Sequence, residues 1–378
     1  MKKALIITCN DSYDYGTRTC YVEHVLKQKG YIVEHLLSDF DHRSKTPYQV
    51  SHKGIIHYIH VPSYTKNLSV QRIWSHIQFG EQVKKFVLAG DYSLIYHCAP
   101  PNYTIKQLSK CKKKKSFKLI TEVGDMWPES IPIGDGMKGF LKIPFSIWSA
   151  LRDKYLYNSD AVIAECDLFR DTIMKNSGIR TIRTLYFCKE FTGDGREFTY
   201  NPGDSLSLCY LGSINNIIDV EAIGKLIETI AKKTDVKLHI IGDGEKRQVL
   251  IDTATSSGAK VEFHGIVFDE NEKKKVFYQC HYALNIMKPE VFVGMTMKSL
   301  DYFSAGLPMI NNIGGDVWDM IEAEKCGFNI SECDIVEKVD ELVNLNNTQY
   351  QFLCEAVKEA HRNHFSIEYI EKAIASLI

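Results

Sequence analysis

The sequence predicts an α/β protein of two doubly wound, Rossmann-like lobes facing a cleft, and three observations carry that reading. Short apolar runs alternate with helically spaced apolar positions along most of the chain, the pattern of strand-helix-strand units and parallel sheets. One stretch, 192–207, gathers turn formers such as Asn201-Pro202-Gly203-Asp204 and carries no apolar period, so the alternation stops there and restarts. The length, 378 residues, gives room for two or three domains at ~150 residues each. In such sheets ligands bind beyond the carboxyl ends of the strands, and chemistry is sought in the loops that follow them.

The first lobe is expected over 1–191. Ala4-Leu5-Ile6-Ile7 reads as its first strand: the run ends at Thr8-Cys9-Asn10, too soon for a signal peptide despite Lys2-Lys3. Val22, Val25 and Leu26 have helical spacing, and Gly30 ends that helix. Strands follow at 31–36, 55–59, 93–96, 118–121 and 161–164. After the linker 192–207, a second lobe over 208–360 repeats the pattern with strands at 207–211, 237–241, 261–263, 282–285 and 308–310.

Lys plus Arg is 46 against 47 Asp plus Glu, so the chain has no basic excess to hold a nucleic-acid backbone, and anion binding must be local. The eleven cysteines are odd in number and include no Cys-x-x-Cys pair, which fits a reduced, cytoplasmic chain. No run approaches the ~20 apolar residues needed to cross a bilayer. The histidines show no metal-like spacing, and Asp39-Phe40-Asp41 reads as the acidic end of a strand rather than a cation site. Walker A and Gly-x-Ser-x-Gly patterns are missing, as is a Gly-x-Gly-x-x-Gly after the first strand, which argues against P-loop, hydrolase and nicotinamide chemistry.

Gly242 follows the second strand of the second lobe in Ile241-Gly242-Asp243-Gly244, and Gly212-Ser213 follows the first; either pair suits a tight turn or backbone approach to a phosphate. The segment from Gly294 to Pro308 says more. Thr296 can cap a helix whose amino-terminal amides, with Met297 and Lys298 in the first turn, suit an anion, and Asp301 one turn on suits ribose hydroxyls.

This segment resembles the nucleotide-sugar helix of glycosyltransferase family 4, in the branch written Pro-Ser-Lys-x-x-Glu-Tyr-x-Ala-x-Gly-x-Pro. Lys298, Tyr302, Gly306 and Pro308 fall in register, with Asp301 in place of Glu. In the first lobe, Gly16-Thr17-Arg18 resembles the Gly-Thr-Arg loop of transferases that build O-antigens and capsules, and Asp125-Met126-Trp127-Pro128-Glu129-Ser130 resembles their Asp-Leu-Trp-Pro-Glu-Ser motif. The resemblance implies a GT-B fold whose segment 361–378 crosses back to the first lobe. It further implies transfer of a hexosyl or N-acetylhexosaminyl group from a nucleoside diphosphate sugar to a glycan or lipid-linked acceptor, with retention and without metal or cofactor, in cell-surface polysaccharide biosynthesis. Donor contacts would come from Gly16, Thr17, Arg18, Gly212, Ser213, Gly242, Thr296, Met297, Lys298 and Asp301. Asp125, Trp127 and Glu129 would meet the acceptor, and Asp125 and Lys298 would carry catalysis.

Val293 stands where many members have the first of two glutamates, and the usual cationic pair after the lobe's first strand falls on Ser213 and Ile217 or Ile218. Two alternatives follow: a non-catalytic, transferase-like partner subunit, and a nucleotide-sugar epimerase of the same fold. Over 138–155, Phe140, Pro144, Ile147, Trp148, Leu151 and Tyr155 recur at three-to-four spacing with Lys138 and Lys142 between them. That stretch suits either packing on its own lobe or a peripheral contact with the anionic inner face of a membrane.

Overall fold

The structure, a computed structural model, describes residues 2–10, 18–48, 55–131, 135–194, 200 and 205–378, and of 135–141 the backbone only. The chain divides into two compact units, Met1–Phe187 with Ile370–Ile378, and Cys188–Tyr369.

The first unit runs β1 (Lys3–Thr8), α1 (Arg18–Gln28), β2 (Ile32–Ser38), β3 (Phe40–Asp41), β4 (Thr46–Pro47), β5 (Ile56–Ile59), α2 (Val70–Ala89), β6 (Leu94–Ala99), α3 (Asn102–Lys112), β7 (Lys118–Val123), α4 (Asp135–Leu156), β8 (Ala161–Ala164), α5 (Asp167–Ser177) and β9 (Arg183–Thr184). Its main sheet has the order β5-β2-β1-β6-β7-β8-β9, with every neighbouring pair parallel; β3 and β4 form a small antiparallel ribbon. Continuous apolar runs become central strands here because both faces are covered: Leu5, Ile6 and Ile7 are fully buried, as are Leu94, Ile95 and Tyr96.

The second unit continues with β10 (Leu206–Leu211), α6 (Val220–Ala231), β11 (Val236–Ile241), α7 (Arg247–Ser256), β12 (Ala259–Gly265), α8 (Glu270–Phe277), β13 (Tyr282–Asn285), α9 (Met297–Ser304), β14 (Met309–Asn311), α10 (Asp316–Glu324), β15 (Gly327–Asn329), α11 (Ile335–Val343) and α12 (Asn347–His364). The boundary at Ile370 falls within a last helix, α13 (Ile367–Leu377). The sheet order β12-β11-β10-β13-β14-β15 is all parallel and reverses between β10 and β13. Such a reversal parts the loops on either side of it and leaves a crevice at the carboxyl ends of the two strands.

Of the expected linker 192–207, residues 195–199 and 201–204 lie outside the described residues. The terminal segment joins the first unit from Ile370 rather than 361, because α12 packs on α9 and α10. Once there, Arg183 donates to the carbonyl of Ala373 at 3.2 Å and Lys118 to that of Ile378 at 3.3 Å. The three-residue β15 has no apolar run to announce it; it exists because Met309, Ile310 and Asn311 pair with it. Among the described residues no helix is long and apolar enough to cross a membrane.

Candidate functional site

Tyr302, fully buried on α9, fills the gap where β10 and β13 part: its hydroxyl accepts from the Leu211 amide at 2.8 Å and donates to the Leu284 carbonyl at 3.4 Å. Thr296 ends the loop after β13 and caps α9, its hydroxyl accepting from the Ser299 amide at 3.1 Å and meeting Asn285 Oδ1 at 3.2 Å. Asn285 is one of three asparagines in register across β13, β14 and β15; its amide donates to Asn311 at 2.8 Å, and that of Asn311 to Asn329 at 2.9 Å. The amino terminus of α9 therefore stands at the switch point on a satisfied polar footing. Met297, in the first turn, is exposed.

Lys298 is the odd group in this arrangement. It is only 7% exposed, its Nζ lies 5.1 Å over the Tyr210 ring, and it has no hydrogen-bond partner among the described residues. Burial pushes its ammonium down to about 7. A desolvated cation without a counter-charge is costly, and the contact with an aromatic face offsets only part of the cost. An anion brought to the end of β10 would supply the missing charge.

The glycine turns beside it work by shape. Gly242 has φ +138°, and a Cβ there would meet the Gly212 carbonyl oxygen at 1.9 Å, so the two turns stack as only glycine allows. Gly212 donates its amide to Ile241 at 2.9 Å and Gly242 donates to Gly265 at 2.7 Å. These amides serve the turn stack, and the glycines contribute close backbone approach instead of donors. Ser213 accepts at its carbonyl from the Tyr210 hydroxyl at 3.0 Å.

Asp301 points into an ion-pair network. Lys189 pairs with its Oδ1 and with Glu270 at 2.8 Å, while Lys273 pairs with Glu270 at 2.6 Å and reaches Asp301 Oδ1 at 3.9 Å. Burial opposes the charge of Lys189, but Asp301 and Glu270 hold it above the usual lysine value. Both cations approach Asp301 through Oδ1, the oxygen on one side of the carboxylate.

In the first unit, Gly16 and Thr17 lie outside the described residues. Arg18 is committed to the interior, which corrects its expected place at a diphosphate: its guanidinium pairs with buried Glu122 at 2.5 Å, donates to the Leu185 carbonyl and lies 5.0 Å from the Phe187 ring centroid. Glu122 accepts a further bond from Tyr96 at 2.6 Å, completing a buried network.

The loop after β7 is held rigidly. Fully buried Arg152 on α4 forks onto Glu129 at 2.9 and 2.8 Å and onto the Trp127 carbonyl at 3.0 Å, so Glu129 fixes the loop. Asp125 accepts from Ser130 Oγ at 2.5 Å; burial pushes its carboxyl up, against that bond and the charge of Arg72. Arg72 itself lies 3.6 Å from the Trp127 ring centroid, and its Nη2 is 3.4 Å from His42. Its Nε has no hydrogen-bond partner among the described residues, and burial brings the guanidinium down to about 10. Buried His76 stands over Trp127 with ring centroids 6.0 Å apart and is kept neutral by burial and by Arg72.

Arg72 and His76 are absent from the sequence expectations, although a signal exists. The buried stripe of α2 runs Phe79, Val83, Val87, and continuing it backward at helical spacing lands on His76, Ser75 and Arg72. Polar groups on a helix's buried face near a strand's carboxyl end mark a site. Asp39 accepts from the Val61 amide at 3.0 Å and Asp41 from the Arg43 amide at 2.7 Å, so both carboxylates have loop-ordering work. The histidine reading is corrected at one place: His239 and His264, on neighbouring strands, come together with Glu262. On α4, Pro144, Ile143 and Ile147 are exposed and Trp148 is half-buried, while Phe140 lies outside the described side chains.

Residues 205–365 match the family described as "Glycosyl transferases group 1". No curated protein matches the chain. Among solved structures, the chain is similar to sucrose-phosphate synthase from Thermosynechococcus elongatus, at 14% identity and TM-score 0.68 over 100% of this chain and 98% of that one. It is similar to Anabaena Alr3699/HepE, solved in complex with UDP and glucose, at 14% identity and TM-score 0.62 over 100% and 99%. The lipopolysaccharide outer core galactosyltransferase WaaB in its apo form aligns at 14% identity and TM-score 0.63, again over 100% and 99%. These identities speak to fold alone: two parallel-sheet α/β lobes of the GT-B kind. Together with the matched domain they support a GT-B glycosyltransferase.

Proposed function

We propose that the chain moves a hexosyl or N-acetylhexosaminyl group from a nucleoside diphosphate sugar to a glycan or lipid-linked acceptor, with retention, in the assembly of a cell-surface polysaccharide. The observation that carries this is Lys298: a buried ammonium with no partner among the described residues, in the first turn of a helix that starts at the sheet's switch point. A diphosphate there gains the ammonium and the first amides of α9. Asp301 takes the ribose hydroxyls on Oδ2, since its ion pairs use Oδ1. That one neighbour, Anabaena Alr3699/HepE, was solved both with UDP and with UDP-glucose supports the choice of donor class.

In the transfer, the bond from the anomeric carbon to the diphosphate oxygen breaks and its electron pair leaves with the diphosphate. The acceptor hydroxyl oxygen bonds to the anomeric carbon, and its proton passes to the departing phosphate. Stabilising that developing charge is the largest catalytic contribution, and it falls to Lys298 and α9. Asp125 orients the acceptor hydroxyl beside Trp127, with Arg72 holding the charge of the loop. No step requires a metal or a cofactor. Exposed Ile143 and Ile147 on α4, and Val70 and Trp74 on α2, suit a peripheral contact with an anionic leaflet; absence of salt-sensitive co-flotation with anionic liposomes would remove that part.

The test is a melting-temperature screen against UDP, GDP, CDP, dTDP and their sugar conjugates. One nucleotide should raise the melting temperature selectively, and Asp301→Ala should weaken the shift. No response to any nucleotide, together with co-purification of a second transferase, would favour the partner-subunit reading, for which Val293 and the ion-paired Asp301 speak. Conversion of donor without acceptor would instead favour an epimerase.

A further inference from the structure

Strands β11 and β12 pair in parallel with His239 opposite Glu262, but the register shifts between Ile240 and Ile241, so that Ile240 pairs with Phe263 and Ile241 with Gly265. The residue left over is His264. Such a bulge re-aims a side chain, and here it brings three potential ligands onto one face of the sheet edge. His239 Nδ1 lies 3.0 Å from His264 Nε2, with the rings stacked at 5°, and His264 Nε2 lies 3.8 Å from Glu262 Oε1. One ligand atom from each residue falls within 4.8 Å of the other two.

We infer that His239, Glu262 and His264 form a binding site for a divalent transition-metal ion of the zinc type. Bonds of about 2.0–2.1 Å to nitrogen and oxygen in a tetrahedron place ligand atoms ~3.3 Å apart, and the observed 3.0 and 3.8 Å bracket that figure. Two imidazoles and one carboxylate suit zinc over the hard cations magnesium and calcium, which take oxygen. His239 is fully buried and kept neutral by burial, while half-exposed Glu262 presents Oε1 3.8 Å from His264. Lys237 pairs with Glu262 Oε2 at 2.5 Å and so turns Oε1 toward the histidines, the orienting part a neighbour plays around a metal ligand. A water completes the coordination.

The ion would tie β11 to β12 and keep one open position, and the inference does not rest on the proposed transfer activity. It pins the bulge that leads directly to Gly265, whose carbonyl accepts from Gly242 in the turn stack. Metal binding is thereby coupled to the order of the turns at the carboxyl ends of β10 and β11.

The full chain, stripped with a chelator, is titrated with zinc alone and then with cobalt(II) as a spectroscopic replacement. Expected are one equivalent of zinc bound, a raised melting temperature, slower exchange of the Gly242 amide, and the visible absorption of four-coordinate cobalt without the near-ultraviolet band of a cobalt thiolate. Glu262→Gln and His264→Gln, both on partly exposed positions, should each weaken zinc by ~10-fold or more. Zinc affinity unchanged in both folded variants overturns the site, as does a thiolate band, which would assign the metal to the cysteines, or no stoichiometric binding by the wild-type chain.

Discussion

The carboxyl ends of the two sheets are built in opposite ways. In the first unit the space is crowded with side chains already engaged with one another: Arg72 on Trp127, Asp125 on Ser130, Glu129 on Arg152. In the second unit the working surface is mostly backbone, two stacked glycine turns and a helix terminus, with the buried ammonium of Lys298, which has no hydrogen-bond partner among the described residues. The first arrangement is rigid before any ligand arrives and can discriminate by shape. The second stores an unmet electrostatic demand and answers to charge. The proposed transfer draws on both, the first for selecting an acceptor and the second for stabilising an anionic leaving group.

Substituting Gly242 should break the backbone side of this comparison most severely. Gly242→Ala combines φ +138° with a contact at 1.9 Å, and unfolding in denaturant should show a loss of ~3 kcal/mol or more, with the nucleotide response gone. Asp125→Asn should leave the nucleotide melting shift intact and lower kcat by ~10²-fold, since the acceptor hydroxyl is no longer oriented. Because burial raises the carboxyl of Asp125, removing its charge should leave stability unchanged or improved at neutral pH.

Lys298→Met should stabilise the ligand-free protein by about 1–4 kcal/mol while abolishing the nucleotide shift, as replacing an uncompensated buried charge does. The sign with pH follows from its value of about 7, against ~10.4 in the unfolded chain. Between these the unfolded state binds more protons, so ligand-free stability should rise with pH across that window, and Lys298→Met should flatten the rise. Diphosphate binding must recharge the amine, so affinity should fall above pH 7, with proton uptake visible in calorimetry across buffers of different ionisation heat. The smallest effect belongs to Tyr302→Phe, which leaves the Leu211 amide short of an acceptor at a cost of ~1–2 kcal/mol.

How much was legible in the sequence follows the same division. Backbone-based recognition leaves marks in the chain itself: glycines directly after strands, and a Thr-x-Lys start to a helix. Every strand of the second unit but β15, and the capped helix at Thr296, could accordingly be placed from sequence alone. Side-chain recognition assembles from distant segments, and nothing near Arg72 in the sequence says that Trp127 lies under it. The pairing of Arg18 with Glu122 was hidden for the same reason, and proximity to the Gly-Thr-Arg loop suggested a ligand where a buried ion pair sits. His239 and His264 are 25 residues apart, and only a register shift between two strands brings them together.

The asparagine row across β13, β14 and β15 has one more consequence. Replacing any one of Asn285, Asn311 and Asn329 by leucine takes a partner from its neighbour in the row, and replacing all three also takes the acceptors from the Thr296 hydroxyl and the Ile313 amide, which bond to Asn285 and Asn311. Selection therefore sees these three positions as a single letter: a library randomised at all of them should return the full polar row, and few mixtures of polar and apolar residues.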